Sequence, residues 1–225
     1  DLRQYNVIVL PHLYSELSKG QAKSLSNWVK QGGTLIAVNG ATRQLINRKV
    51  GSVVQLKEAL KDAGKYDLSL QREWMAQLDQ IPNRKHIHDF KVPEALALPW
   101  LESAELKGFD KDKLASWNEW SSKFMPSGAI VASRTDQKHW LTFGVDSKLP
   151  LLISNPPLLM SNDNSQAVVR IGSLDKNEDK KIRKLAWSTI PAGYDLNVRM
   201  SGLLWPEAAQ RIANTAYLTR ERIGR

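Results

Sequence analysis

Cysteine is absent from the 225-residue sequence. Its absence excludes disulfide bonds, thiolate metal sites and a cysteine nucleophile. It leaves the cellular compartment open, because a secreted domain of this length can bury a core without disulfides. Long apolar runs are missing too: no stretch of about 18 consecutive apolar residues occurs, so we expect no membrane-spanning helix.

Several short catalytic motifs are also missing. The G-x-G-x-x-G pattern of dinucleotide-binding proteins does not occur, because Gly32 and Gly33 stand before a predicted strand rather than after one. No G-x-S-x-G elbow is formed around Ser201. The helical HExxH zinc motif is absent, and His12 and Glu16 are one residue too far apart for the His-x-x-Glu pair of zinc carboxypeptidases. We therefore expect a chain that lacks the parts of a working active site.

Acidic residues are outnumbered by basic ones, 23 to 32, which gives a formal charge of +9. Basic side chains are scattered from Arg3 to Arg225, and their densest run, at positions 180–184, directly follows Glu178 and Asp179. A scattered surplus is typical of a solvated surface rather than a nucleic-acid interface. The sequence thus predicts no nucleic-acid partner.

The first forty residues carry the clearest pattern. Residues 5–10 form an apolar, β-branched run that predicts a buried strand. Ser18 and Gln21 have the spacing of a capping box, and the helix that they begin is expected to end at Gly32. Residues 34–38 predict a second buried strand, so the segment is a β-α-β unit with parallel strands.

This unit predicts an α/β fold, a doubly wound, flavodoxin-like and mostly parallel sheet, for a single domain spanning residues 1–225. Residues of about 53–125 have helical patterns broken by prolines, and we interpret them as a helical insertion, with a separate small domain as the alternative. Strand patterns return at 129–133, 139–145, 149–154 and 168–171, and Pro206 predicts the first position of a helix.

The segment Asn39-Gly40-Ala41-Thr42 follows the second predicted strand. In doubly wound sheets, sites gather at the carboxyl ends of the strands. These four residues are therefore the candidate crevice.

His86 and His88 are the candidate metal ligands, because alternate residues of a strand point to the same face. Together with Asp89 they would give a hydrolase site. A polar loop with two ordinary histidines is the alternative.

Tryptophan is abundant, with eight residues. Trp117, Trp120 and Phe124 have spacings that share one helix face, and we expect them in the core. Exposed, the indoles could stack on sugars or bases. Trp205 is expected to be a packing anchor.

Two parts of the chain are similar to a known family. The similar segments are residues 1–11, 25–37 and 39–42 near the start, and residues 201–207 and 213–221 near the end. They resemble the class I glutamine-amidotransferase-like domain that follows the catalytic domain in certain bacterial secreted zinc carboxypeptidases of the carboxypeptidase A type. The resemblance covers the first fifty and the last thirty residues.

The resemblance implies a non-catalytic accessory domain, trimmed at both ends, whose partner is the carboxypeptidase domain of the same polypeptide. It implies a periplasmic or extracellular location and zinc in that partner domain, with no cofactor in this chain. In working amidotransferases a cysteine nucleophile stands on the turn after the strand equivalent to 34–38, where this chain has Asn39-Gly40-Ala41, so the elbow is degenerate. A small-ligand or glycan-binding module is the alternative function.

Overall fold

A computed structural model describes residues 1–77, 110–179 and 181–224, and in these ranges the chain is mixed α and β, with thirteen strands and six α-helices. The strands are β1 (Val7–Leu10), β2 (Thr34–Ala37), β3 (Val54–Gln55), β4 (Ser127–Thr135), β5 (Lys148–Ser154), β6 (Leu159–Met160), β7 (Ser165–Ile171), β8 (Ser173–Lys176), β9 (Arg183–Leu185), β10 (Ser188–Ile190), β11 (Tyr194–Asn197), β12 (Arg199–Ser201) and β13 (Ala216–Glu221). The helices are α1 (Lys19–Lys30), α2 (Gly40–Asn47), α3 (Leu56–Ala59), α4 (Ala63–Gln77), α5 (Lys111–Ser122) and α6 (Pro206–Ile212), and 3-10 turns lie at Leu2–Gln4, Leu60–Asp62 and Trp140–Thr142. None of the helices in these ranges is long and apolar enough to cross a membrane.

The β-α-β connectivity predicted for the first forty residues is confirmed, but the prediction that both strands are buried is wrong, because one side of each strand is about half exposed. β1 pairs in parallel with β2, and Val9 lies opposite Ile36. α1 begins with the capping box, in which the Gln21 backbone N–H donates to Ser18 Oγ at 3.2 Å and the Ser18 N–H donates to Gln21 Oε1 at 2.9 Å. Gly32 follows the helix with φ of 106°, a left-handed conformation that favours glycine.

The predicted doubly wound, mostly parallel sheet is wrong. The principal sheet has seven strands in the order β12-β4-β7-β13-β6-β3, with β5 paired to β4, and its pairs are antiparallel. In the described residues, parallel pairing is confined to β1 and β2. Parallel neighbours need crossover connections of a dozen or more residues, whereas the antiparallel pair β9 and β10 is joined by Ala186 and Trp187 alone.

The segment predicted as a helical insertion contains α3, α4 and α5 in its described part. It also contributes β3, which pairs with β6 in the seven-stranded sheet. Leu70 and Trp74 of α4 and Leu114 of α5 are buried in the main core. The helices of this segment are therefore packed on the large sheet.

The large sheet and the parallel pair β1-β2 each pack against helices through a hydrophobic core of their own. The main core joins the large sheet to α3, α4, α5 and α6, and its fully buried side chains include Leu56, Leu70, Ile153, Met160, Ile171, Trp187 and Ile212. A smaller core lies between α1, α2 and one face of the parallel pair, with Leu17, Ala22, Leu25 and Leu45 at its centre. Ile46 of α2 packs against Leu159 and its buried neighbours on the large sheet, which connects the two parts.

The strand predicted for residues 139–145 is also wrong. These residues form a 3-10 turn at Trp140–Thr142 within the connection from β4 to β5. Trp140, Leu141 and Phe143 are exposed, so the alternation of residue types does not reflect a buried face. Alternation over seven residues cannot distinguish a strand from a structured loop.

Candidate functional site

The turn between β2 and α2 holds the four residues of the predicted crevice. Asn39 stands at the turn with φ of 48° and ψ of −109°, a conformation that only glycine adopts without strain. Gly40 opens α2, Ala41 is fully buried, and Thr42 donates its hydroxyl to the Ala37 carbonyl oxygen at 3.1 Å. A sharp, strained strand-to-helix turn is therefore present in this chain, with an amide side chain at its apex.

His12 lies beside this turn, because the two parallel strands end at the same edge. The Gly40 backbone N–H donates to His12 Nδ1 at 3.4 Å. A Cβ added at Gly40 would come within 3.0 Å of both His12 Cε1 and the Leu13 carbonyl oxygen, so glycine is required for this close approach. The sequence prediction missed His12, although its place directly after β1 and Pro11 could have indicated it.

Side chains of α2 and of Arg48, directly after it, hold the loop that carries His12. The Arg48 Nε donates to the Leu17 carbonyl oxygen at 2.6 Å, and its Nη2 lies 3.4 Å from Glu16 Oε2. The Gln44 Oε1 accepts from the Leu17 backbone N–H at 3.4 Å. The loop between β1 and α1 is therefore fixed to the helix that begins at the turn.

The chemistry available at this turn is that of an exposed amide and an imidazole. The Asn39 side chain makes no capping hydrogen bond, and the Thr42 hydroxyl is engaged by Ala37. His12 offers a proton acceptor directly at the Gly40 amide nitrogen.

A second polar cluster lies inside the large sheet, where Arg134 of β4 and Arg170 of β7 are both buried. The Arg170 guanidinium binds Glu73 of α4 in a bidentate pair, with Nε–Oε2 at 2.5 Å and Nη2–Oε1 at 2.7 Å. Arg170 also donates to the Ser161 hydroxyl and to the Asn214 carbonyl oxygen. Glu73 thus neutralises one of the two buried cations.

The other cation, Arg134, has no carboxylate partner in the part of the chain that the structure describes. It donates to the Gly172 carbonyl oxygen at 2.8 Å and to Asn214 Oδ1 at 2.9 Å, while its buried Nε–H meets no acceptor from residues 1–77, 110–179 or 181–224. Its guanidinium carbon lies 5.6 Å from the centre of the Trp74 ring. Burial, and then the charge of Arg170, lower the pKa of Arg134 to about 9, so it stays cationic at neutral pH.

The connection from β4 to β5 exposes two aromatic side chains. Trp140 is 70% exposed and Phe143 is 94% exposed, and Leu141 between them is also on the surface. Exposed aromatic residues in a group are a common mark of interaction surfaces. We call residues 139–145 the aromatic loop.

Hydrogen bonds order the aromatic loop from within. The buried Thr142 hydroxyl donates to the Asp136 and His139 carbonyl oxygens, and the Leu141 backbone N–H donates to His139 Nδ1 at 3.1 Å. The Val145 N–H donates to the Thr142 carbonyl oxygen at 3.0 Å. Trp140 and Phe143 are therefore presented on a structured backbone, which lowers the entropic cost of binding.

A second group of aromatic rings lies on α5 and at the start of α6. Trp120 is 54% exposed, so the prediction that it belongs to the core is wrong, whereas Trp117 is partly buried against the main core. The ring centres of Trp120 and Phe124 are 5.3 Å apart, and those of Phe124 and Trp205 are 6.1 Å apart. Trp205 is half exposed and extends this strip of rings along the surface.

The predicted metal ligands His86 and His88, and the neighbouring Asp89, lie outside the described residues. Within the ranges that are described, no three His, Asp or Glu side chains are grouped in a way that could hold a metal ion. His12 contacts the turn after β2, and His139 belongs to the aromatic loop.

One face of the parallel pair is left uncovered by the described residues. Ile8, Leu10, Leu35 and Ala37 pack toward α1 and α2. The alternate residues Val7, Val9, Ile36 and Val38 are on the other face and are between 46% and 57% exposed. We call these four residues the valine-isoleucine face.

Comparison with known proteins gives no relative for this chain: no family model, no curated protein and no solved structure matches it.

Proposed function

We propose that this chain is a non-catalytic accessory domain that packs beside the zinc carboxypeptidase domain of the same polypeptide, in the periplasm or outside the cell. The observation that carries the proposal is the valine-isoleucine face. The resemblance of residues 25–37, which include β2, supplies the class of the partner.

Parallel strands are found almost without exception in sheets covered on both faces, because their connections place helices there. In this chain α1 and α2 cover one face, and the other presents four β-branched aliphatic side chains about half exposed. Val9 and Ile36 are direct neighbours across the strands, so the apolar surface is continuous. A protein surface packed on this face would remove it from water, which favours association.

The proposal predicts that polar substitutions on this face weaken the association of the chain with the carboxypeptidase domain. Val9→Thr combined with Ile36→Thr keeps β-branched side chains and adds two hydroxyl groups. Leu152→Thr is the matched control, because Leu152 is an exposed aliphatic residue on a strand of the other sheet. The two domains, produced separately, would be titrated by calorimetry.

The proposal is supported if the double variant binds the carboxypeptidase domain more weakly than the wild type and Leu152→Thr binds it with the wild-type affinity. A second comparison uses the intact polypeptide with and without this chain. If stability, peptidase activity and specificity were all the same in both forms, the accessory role would be rejected.

A glycan-binding function is the second candidate, and the strip of Trp120, Phe124 and Trp205 favours it. Exposed indoles can stack on sugar rings, and these two flank a phenylalanine at ring-contact distance. Titration with oligosaccharides, followed by the indole N–H resonances in NMR spectra, tests this function. Shifts at Trp120 and Trp205 that vanish in Trp120→Ala would support it, and unshifted indole signals would reject it.

A further inference from the structure

The turn after β2 contains the one Asn-Gly dipeptide of the sequence, Asn39-Gly40. Asn39 is exposed, and its side chain makes no hydrogen bond that caps α2. Gly40 carries no side chain to shield its backbone nitrogen. The amide carbon of Asn39 and the nitrogen of Gly40 can therefore meet if the backbone angle between them allows it.

The backbone angle at Asn39 has the value that this encounter requires. In an L-residue, Cβ and the backbone nitrogen are about 120° apart around the Cα–C bond. Because ψ of Asn39 is −109°, its Cβ and the Gly40 nitrogen are nearly eclipsed, about 10° apart. Helical or extended backbone, with ψ near −42° or +135°, would hold these two atoms well apart.

A proton acceptor already contacts the nitrogen that must react. His12 Nδ1 accepts from the Gly40 N–H at 3.4 Å. A general base has to lie within hydrogen-bonding reach of the proton that it removes, and an imidazole is the usual group for this role. His12 is exposed, so the proton can pass on to water.

We infer that the fold promotes conversion of Asn39 into an aspartyl or isoaspartyl residue. The Gly40 nitrogen forms a bond to Asn39 Cγ, and its proton moves to His12 Nδ1. The Cγ–Nδ2 bond breaks, and Nδ2 takes up a proton and leaves as ammonia. Water then opens the cyclic imide at either carbonyl carbon, so one water is consumed and one ammonia is released.

The product changes the charge and the backbone at the start of α2. Either product carries one carboxylate, so the formal charge falls by one from +9. An aspartate side chain before the first residue of a helix is stabilised by the unpaired N–H groups there. The isoaspartyl product adds one carbon to the main chain and displaces Gly40 from His12.

The test compares the folded chain with its unfolded form. Trypsin releases residues 31–43, which contain Asn39 as their single asparagine, so mass spectrometry follows the loss of the amide there. The rate is measured for native protein, for protein in guanidinium and for a synthetic 31–43 peptide. Asn164, an exposed residue directly before Ser165 at the start of β7, is the internal control.

Conversion faster in native protein than in the unfolded forms supports the inference, because an unassisted site is slowed by folding. In His12→Gln the native rate should fall at least about tenfold, with the guanidinium rate unchanged. A native rate equal to or below that of the peptide would overturn the inference. If the His12→Gln variant still converted Asn39 faster in native protein than in guanidinium, by the same factor as the wild type, His12 would be rejected as the base.

Discussion

Arg134 and Arg170 lie directly opposite each other on the neighbouring antiparallel strands β4 and β7, and both are buried. Like charges opposite each other destabilise a sheet, and burial removes the water that would screen them. Glu73 offsets the charge of Arg170, and the backbone and side chain of Asn214 accept from both arginines. The stability of the large sheet therefore depends on Glu73.

Glu73→Gln should be strongly destabilising, because it removes the one carboxylate that pairs with these buried arginines among the described residues. Removal of one partner of a buried pair typically costs about 3–5 kcal/mol of unfolding free energy. Urea denaturation of both proteins measures the difference. Glu58→Gln is the control, since Glu58 pairs with Lys61 on the surface, where such pairs contribute less than about 1 kcal/mol. Equal effects of the two substitutions would contradict this account of Glu73.

Asn39→Gly should stabilise the chain. Glycine adopts the φ of 48° and ψ of −109° of this turn without strain, whereas strained residues of this kind cost about 1–3 kcal/mol. The gain is reduced by the greater flexibility of glycine in the unfolded chain, so we expect about 1 kcal/mol in thermal or chemical denaturation. Asn164→Gly, at an exposed turn position without a positive φ, should give no such gain.

Asp67 gives the stability of the chain a dependence on pH. Its carboxylate accepts from the Thr189 backbone N–H at 2.6 Å, the Thr189 hydroxyl at 2.7 Å and Gln71 Nε2 at 3.0 Å. Burial raises the pKa of Asp67 above its ordinary value near 3.8, and the hydrogen bonds from Thr189 oppose the rise. The folded chain therefore binds this proton more tightly than the unfolded chain does.

A raised folded pKa gives stability that is fully present below the unfolded pKa and is lost as pH rises through the folded pKa. The quantity to follow is the unfolding free energy of the wild type minus that of Asp67→Asn. We expect this difference to fall as the pH rises from about 3.8 to the raised pKa of Asp67 in the folded chain, and to be constant at higher pH. Denaturant titrations over this range measure the difference. A difference that increased with pH would show the opposite sign of shift.

Substitutions in the aromatic loop should affect stability differently at its exposed ring and at its buried hydroxyl. Phe143→Ser should change the unfolding free energy by less than about 0.5 kcal/mol, because the ring is almost wholly in water. Thr142→Val should cost about 1–2 kcal/mol, because it removes the hydroxyl that bonds the Asp136 and His139 carbonyl oxygens. Limited proteolysis within residues 136–147 should be faster for Thr142→Val alone.

Helix ends that are marked by one capping residue or one proline were predicted correctly from the sequence. Ser18 and Gln21 identify the start of α1, Gly32 its end, and Pro206 the first turn of α6. The predicted crevice residues do lie on a sharp turn after β2, because apolar runs bounded by glycine and asparagine mark strand ends.

Features that depend on distant pairing could not be predicted. The apolar runs that became β4, β5 and β7 are equally compatible with parallel and antiparallel neighbours, because residues 136–147 between β4 and β5 are long enough for either connection. Arg170 interrupts the apolar run of residues 168–171, which marks it as unusual, but its partners Glu73 and Asn214 are far away in the sequence, as is the Asn214 partner of Arg134. The contact of His12 with Gly40 likewise requires both strands to be in place.

The division of the interior into a main core and a smaller one affects how the chain opens. The smaller core, around Leu17 and Leu25, contains few large side chains, and β1 and β2 pair only with each other in the described residues. Amide hydrogens of β1, β2 and α1 should then exchange with deuterium through a partial unfolding that leaves the seven-stranded sheet intact. A partner bound to the valine-isoleucine face would slow that partial unfolding. The amides of the first fifty residues would then exchange as slowly as those of the seven-stranded sheet only when the partner is bound.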